Sequence, residues 1–135
     1  MKILIDINVI LDVLCNRKEF VDDSAKIFKL CEVKKLTGYI SALSIPNIVY
    51  IMRKELDEEK IREVIEKLSL VVDIVDLKVE DLKKASMLNF DDYEDAVKSQ
   101  KATRIKADYI VTRNLKDYKN SKVMAINPTE LLERI

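Results

Sequence analysis

Short β-branched runs alternate along this chain with longer stretches of helical period, and this alternation constrains the fold more than any other feature. Lys2 to Ile5, Gly38 to Ile40, Val71 to Val75, Tyr109 to Thr112 and Lys122 to Ile126 read as buried strands. Helical stretches lie between them at Val21 to Lys34, Ser44 to Glu55, Asp57 to Leu68 and Asp92 to Lys106, with a last one at Thr129 to Arg134. Ile61, Val64, Ile65 and Leu68 share one stripe, and Pro46 falls in a first helical turn, where its missing N–H costs nothing. Strands that alternate with helices build βαβ units. The expectation is one α/β domain over residues 1–135, with a mainly parallel central sheet of about five strands and helices on both faces.

The chain's 135 residues bury enough surface to fold without a metal or disulfide staple. Its 48% hydrophobic content, with one Gly and two Pro, excludes a disordered or linker-rich chain. The 24 basic and 24 acidic residues cancel, so any polyanion must meet a local patch or a bound cation. The absence of His excludes His-ligated zinc, a Ser-His-Asp triad and His general-base chemistry. Cys15 and Cys31 fit no zinc-ligand spacing and read as small core residues of a reduced, cytoplasmic protein. Asp6, Asn8 and Asp12 interrupt the apolar N-terminal stretch, which therefore reads as neither signal peptide nor membrane span.

Open parallel sheets place function beyond the carboxyl ends of their strands. The polar residues expected there are Asp6 and Asn8, Ser44 to Asn47, Thr112 to Asn114 with Asp117, and the acidic start of the long helix at Asp91 to Asp95. Four carboxylates in that last segment, residues 91 to 95, exceed what helix capping needs, although Asp91 with Glu94 resembles a capping box. Asp6 alone would read as a helix cap. Clustered, partly buried carboxylates point instead to a bound cation, and an oxygen-only ligand set selects Mg²⁺, Mn²⁺ or Ca²⁺. Like-charge crowding further predicts that removing the charge of Asp6 or Asp95 stabilises the metal-free fold.

The order DxN after the first strand, SALSIPNI at the second helix, DDYEDAVKSQKA, then ADYIVTRNLKDY resembles the PIN domain through nearly the whole chain. The resemblance implies a small α/β protein whose acidic cluster binds Mg²⁺ or Mn²⁺ and cleaves single-stranded or structured RNA. It also implies the toxin of a toxin–antitoxin pair, with an antitoxin partner, a homodimer and no membrane. Matched position by position, Asp6 is the first acid and Asp95 the third, with Asp92 a recurrent acid beside it. These three are the candidate catalytic residues. Asn114 and Asp117 fall at the fourth position, and Asn47 stands where the family usually has Glu. Together, Asp6, Asp95, Asp92, Asn114, Asp117 and Asn47 form the expected ligand set.

Asn8, Lys98 and Arg113 are the candidates for contacting nucleic acid, with Lys101 and Arg104 extending a basic rim. Arg113 reads equally as a phosphate clamp or a structural ion pair, and Arg17 as structural. Asp12 reads as a surface or capping acid. The alternating charges from Arg53 to Lys67 read as a solvated face. Two other functions fit the same residues. One is a PIN scaffold that binds RNA or protein without turnover, which Asn47 favours. The other is a phospho-receiver domain, which the lack of paired acids beside Asp6 disfavours.

Overall fold

The computed structural model describes residues 1–135. Its elements are β1 (Lys2–Ile5), α1 (Ile7–Leu14), α2 (Val21–Glu32), β2 (Thr37–Ser41), α3 (Ser44–Met52), α4 (Glu58–Val71), β3 (Asp73–Val75), α5 (Val79–Ala85), α6 (Tyr93–Arg104), β4 (Tyr109–Val111), β5 (Ala125–Ile126) and α7 (Pro128–Glu133). A 3₁₀ turn, Leu115–Tyr118, links β4 to β5. The five strands form one sheet in the order β3-β2-β1-β4-β5, and every neighbouring pair is parallel. β1 is therefore the central strand, as its continuous apolar run requires.

Alternation along β1 divides the core. Ile3 and Ile5 face one layer with Val9, Ile10, Ile27, Ile48 and Leu131, which brings α1 to α4 and α7 together. Leu4 faces the other layer with Val75, Ala102, Ile110 and Tyr118, beneath α6. Helices thus cover both faces of a parallel sheet, as the alternating pattern predicts.

The differences from the sequence reading are local. The run from Val71 to Val75 is not all strand: α4 continues through Val71, and pairing begins at Asp73. Only Ala125 and Ile126 of the last predicted strand pair with β4. The seven-residue α5 escapes periodicity because it is too short to show a stripe. Predicted helix starts shift by one residue where caps decide them: Asp57 accepts from the Lys60 N–H, Asp92 from Asp95 and Asn127 from Glu130. The chain's sole glycine, Gly38, serves packing and not a turn, for a Cβ there would lie 2.7 Å from Cys31 Sγ. Cys31 is buried and free, and burial pushes its thiol up to about 11; Cys15 is also unpaired. Both cysteines pack against the larger core cluster, as expected.

Candidate functional site

Asp6 ends the central strand with extended backbone, so its side chain caps α1 and turns into the crevice at the sheet's carboxyl edge. Only 5% of it is exposed. Its Oδ1 accepts from the Ile7 N–H and from Lys98 Nζ, each at 2.9 Å. Its Oδ2 accepts from Thr112 Oγ1 at 2.9 Å and from Asn8 Nδ2 at 3.4 Å. A carboxylate has about four lone-pair sites, and here donors fill them all. Thr112, fully buried at the end of β4, also accepts from Asn8 Nδ2 and the Asn114 N–H, so it clamps the two central strand ends together.

Asp95, in the first turn of α6, comes up beside this group. It is half-buried, and Tyr118 donates to its Oδ1 at 3.2 Å. Burial first, and then the charge of Asp92, raises its carboxyl to about 6, with Lys98 opposing and Asp6 adding to the rise. Burial and the neighbouring Asp6 and Asp95 carboxylates likewise push the Tyr118 phenol far up, so it remains a donor. Asp92 is exposed and caps α6 through the Asp95 N–H at 3.0 Å, in place of the Asp91–Glu94 box that the sequence suggests. Asp117 is exposed on the 3₁₀ turn and shares a small recess with Asp91, Asp92 and Asp95. Asn47 is exposed, and its Nδ2 donates to Glu94 Oε1 at 3.0 Å. Asn114 is exposed and lies next to Thr112.

A folded-state pKa above the unfolded value of about 3.9 makes the native state bind the extra proton between those two values. Stability therefore falls as pH rises from about 4 to about 6, the folded value of Asp95, and is not recovered above it. Asp95→Asn removes that loss and is expected to stabilise the chain at pH 7 by roughly 1 kcal/mol, allowing for solvent screening of a half-exposed group. Urea titrations of both proteins at pH 4 and pH 7 check this. An Asp95→Asn gain as large at pH 4 as at pH 7 would rule out the electrostatic cause.

Of the four basic residues expected on a rim, two lysines are buried and two arginines are half-buried in ion pairs. Lys98 is 5% exposed and paired with Asp6. Lys101 is fully buried and donates to Ser41 Oγ at 2.8 Å; burial holds its ammonium below the usual lysine value, with Asp81 opposing. Arg104 forks onto buried Asp81 at 3.0 and 2.9 Å. Arg113 forks onto Asp12 through Nε at 2.9 Å and Nη2 at 3.0 Å, with its guanidinium 3.8 Å from the Phe20 ring centroid. Arg113 thus makes the ion pair that one of its two readings expects. Asp12 is neither a surface nor a capping acid: it is fully buried and also accepts from Ser24 and Arg17. Asn8 is likewise tied inward, its Oδ1 accepting the Arg113 N–H. Thr112 lies at the sheet's carboxyl edge as expected, whereas the sequence reading missed Tyr118, which donates to Asp95. The missed signal for Lys98 and Lys101 was their flanking by Ala96, Val97 and Ala102, since α6 is buried from Ala96 through Ala102.

A family model described as "PIN domain" matches residues 2–116. The chain belongs to the PIN domain family. No curated protein matches the sequence. Among solved structures, this PIN domain is similar to VapBC2 from Rickettsia felis bound to a promoter DNA fragment, with TM-score 0.74 and 16% identity over 94% of this chain and 98% of that one. It is also similar to DNA-bound VapBC from Salmonella typhimurium, with TM-score 0.72 and 15% identity over 95% and 98% of the two chains. FitAcB from Neisseria gonorrhoeae gives TM-score 0.69 and 17% identity over 94% and 98%. At these identities the likeness establishes the shared fold.

The family implies a divalent cation, and the residues of this PIN domain can be tested against it. Their chemistry suits a hard, oxygen-seeking ion. Their arrangement does not: no three Asp, Glu or Cys side chains are placed to hold one ion together, and donors already occupy both oxygens of Asp6. The burial cost that clustered carboxylates carry is offset at Asp6 by Lys98 and three neutral donors, and at Asp95 by a raised affinity for protons.

Proposed function

We propose that this PIN domain is a nuclease that cleaves RNA, single-stranded or structured, at the Asp6–Asp95 end of its sheet. The observation that carries this reading is Asp95, a half-buried carboxyl raised to about 6 and positioned by Tyr118 beside the strand-end Asp6. A carboxyl whose pKa lies near neutrality can take a proton from an attacking water and return it to a leaving oxygen. Asp92 and Asp117, sharing its recess, are the next carboxylates within reach of a bound substrate. Mg²⁺ or Mn²⁺ belongs to this reading only as an added ion, since Asp6 as it stands offers no open coordination position.

A similar structure described as a toxin–antitoxin complex from Klebsiella pneumoniae supports a toxin role, with a protein antitoxin as partner. No helix is long and apolar enough to cross a membrane. The toxin reading itself carries a cytoplasmic location and a homodimer. The test is cleavage of single-stranded and hairpin RNA with Mg²⁺, Mn²⁺ or chelator. Asp95→Asn is expected to lower the rate by about 10²-fold or more, the usual scale for a lost general acid–base group. A variant as active as the parent would remove Asp95 from the chemistry.

A second reading, an RNA- or protein-binding module without turnover, is favoured by Asn47, whose amide adds no charge and is already bonded to Glu94. RNA retained uncleaved in every cation condition would select it. Either way, Lys98, Lys101, Arg104 and Arg113 already have partners within the fold. Exposed Lys116 and Lys119, beside the acidic recess, become the phosphate contacts.

A further inference from the structure

Of all the ionic contacts in the molecule, Lys98–Asp6 is the one that joins two nearly inaccessible side chains, 6% and 5% exposed, at the carboxyl edge of the sheet. The other buried carboxylates, Asp12 and Asp81, pair with arginines that are themselves partly exposed. Lys98 sits one helical turn after Asp95 on α6, so its stem rises from the same helix that presents Asp95. Its ammonium bonds Asp6 Oδ1 at 2.9 Å, and its charge also opposes the rise in Asp95's proton affinity. A single positive centre thus faces both of the carboxylates that the proposed function uses. Asp6 accepts three further donors, from Ile7, Thr112 and Asn8. A second cation has no lone pair to take unless a donor leaves.

We infer that the Lys98 ammonium is a built-in counter-cation at the place a divalent ion would occupy, so that a metal reaches Asp6 only by displacing it. The inference rests on the reading of Asp6 and Asp95 as the site. It accounts for how a cluster of acids can be stable in a neutral chain whose oxygen ligands are too few to cage a metal. Lysine suits the task because its ammonium is a compact charge on a flexible stem that can withdraw, whereas an arginine fork would hold both carboxylate oxygens. Lys101 cannot substitute for it, since it lies a turn further along α6 and is held by Ser41.

Calorimetric titration of Mn²⁺ into the full chain tests the inference directly. Lys98→Gln keeps a polar side chain one bond shorter and removes the charge, and it is expected to bind Mn²⁺ at least tenfold more tightly than the parent. Adding Asp6→Asn to that variant is expected to return affinity to the parent's level. Melting curves of the same proteins should show Mn²⁺ raising the midpoint of Lys98→Gln and leaving the parent's unmoved. Equal Mn²⁺ affinity in a folded Lys98→Gln and the parent overturns the inference. Should Lys98→Gln fail to fold, the parent and Asp6→Asn decide it. Micromolar Mn²⁺ binding by the parent that Asp6→Asn abolishes overturns the inference, and the absence of any Asp6-dependent binding supports it. RNA cleavage measured on these proteins separates the two readings. Tightened Mn²⁺ binding without cleavage leaves Lys98 in its role and removes the nuclease. Cleavage with no change in Mn²⁺ affinity does the reverse.

Discussion

Lys98→Met is expected to lower unfolding free energy by about 3–5 kcal/mol at pH 7, the cost of leaving one partner of a buried ion pair uncompensated. That is a large part of the roughly 5–15 kcal/mol that a domain typically has. The reason is the environment of Asp6: it stays 5% exposed, and after the substitution only neutral donors face its charge. Asp6→Asn is expected to be destabilising as well, since it strands the Lys98 ammonium. Like-charge crowding alone predicts the opposite sign for Asp6→Asn, but the ammonium at 2.9 Å outweighs the more distant carboxylates. The double variant Asp6→Asn/Lys98→Met is expected to lose clearly less than the sum of its parts, because neither charge is then left alone. Urea denaturation of the four proteins in chelator checks this. A more stable Asp6→Asn would show that repulsion dominates the site after all.

Asp12→Ala is expected to have an effect of similar size, again about 3–5 kcal/mol. Asp12 is fully buried and joins Arg113 from the loop after β4, Ser24 from α2 and Arg17 from the loop after α1. Removing the carboxylate leaves the Arg113 guanidinium, held against Phe20, without a counter-charge. Arg113→Lys keeps the charge but loses the two-point fork at 2.9 and 3.0 Å, so it should fall between Asp12→Ala and the parent. Thermal and urea unfolding measure both. Asp12→Ala within 1 kcal/mol of the parent would show that Arg113 finds another partner and is free to serve a ligand. If the pair is structural, RNA affinity should instead follow substitutions at Lys116 and Lys119.

The elements that position the site were legible before any coordinates. KILI names the central strand, Asp6 follows it, and DDYED opens the helix that presents Asp95. Their placement at the carboxyl edge follows from a parallel sheet. Less legible were elements too short for periodicity to work, such as α5 and the two-residue β5. Asn47 illustrates a different limit. Its position near the start of α3 was correct, but only the tertiary structure, which brings it within reach of the first turn of α6, shows that it bonds Glu94.

The amino-acid order by itself determined the parallel α/β architecture and the end of the sheet at which Asp6 and Asp95 appear. Strand and helix periods, caps and apolar runs are local properties, and burial selects among few arrangements of them. Which charge meets which was decided only by the tertiary structure. Lys98 lies 92 positions from Asp6, and Arg113 lies 101 from Asp12. A lysine's type says nothing of whether its ammonium is in water or in a crevice, because its long apolar stem permits either. Only when α6 packs on the sheet does Lys98 lose its water and take Asp6 as its counter-charge. The same packing raises the proton affinity of Asp95, for desolvation is a property of the assembled crevice and not of the residue.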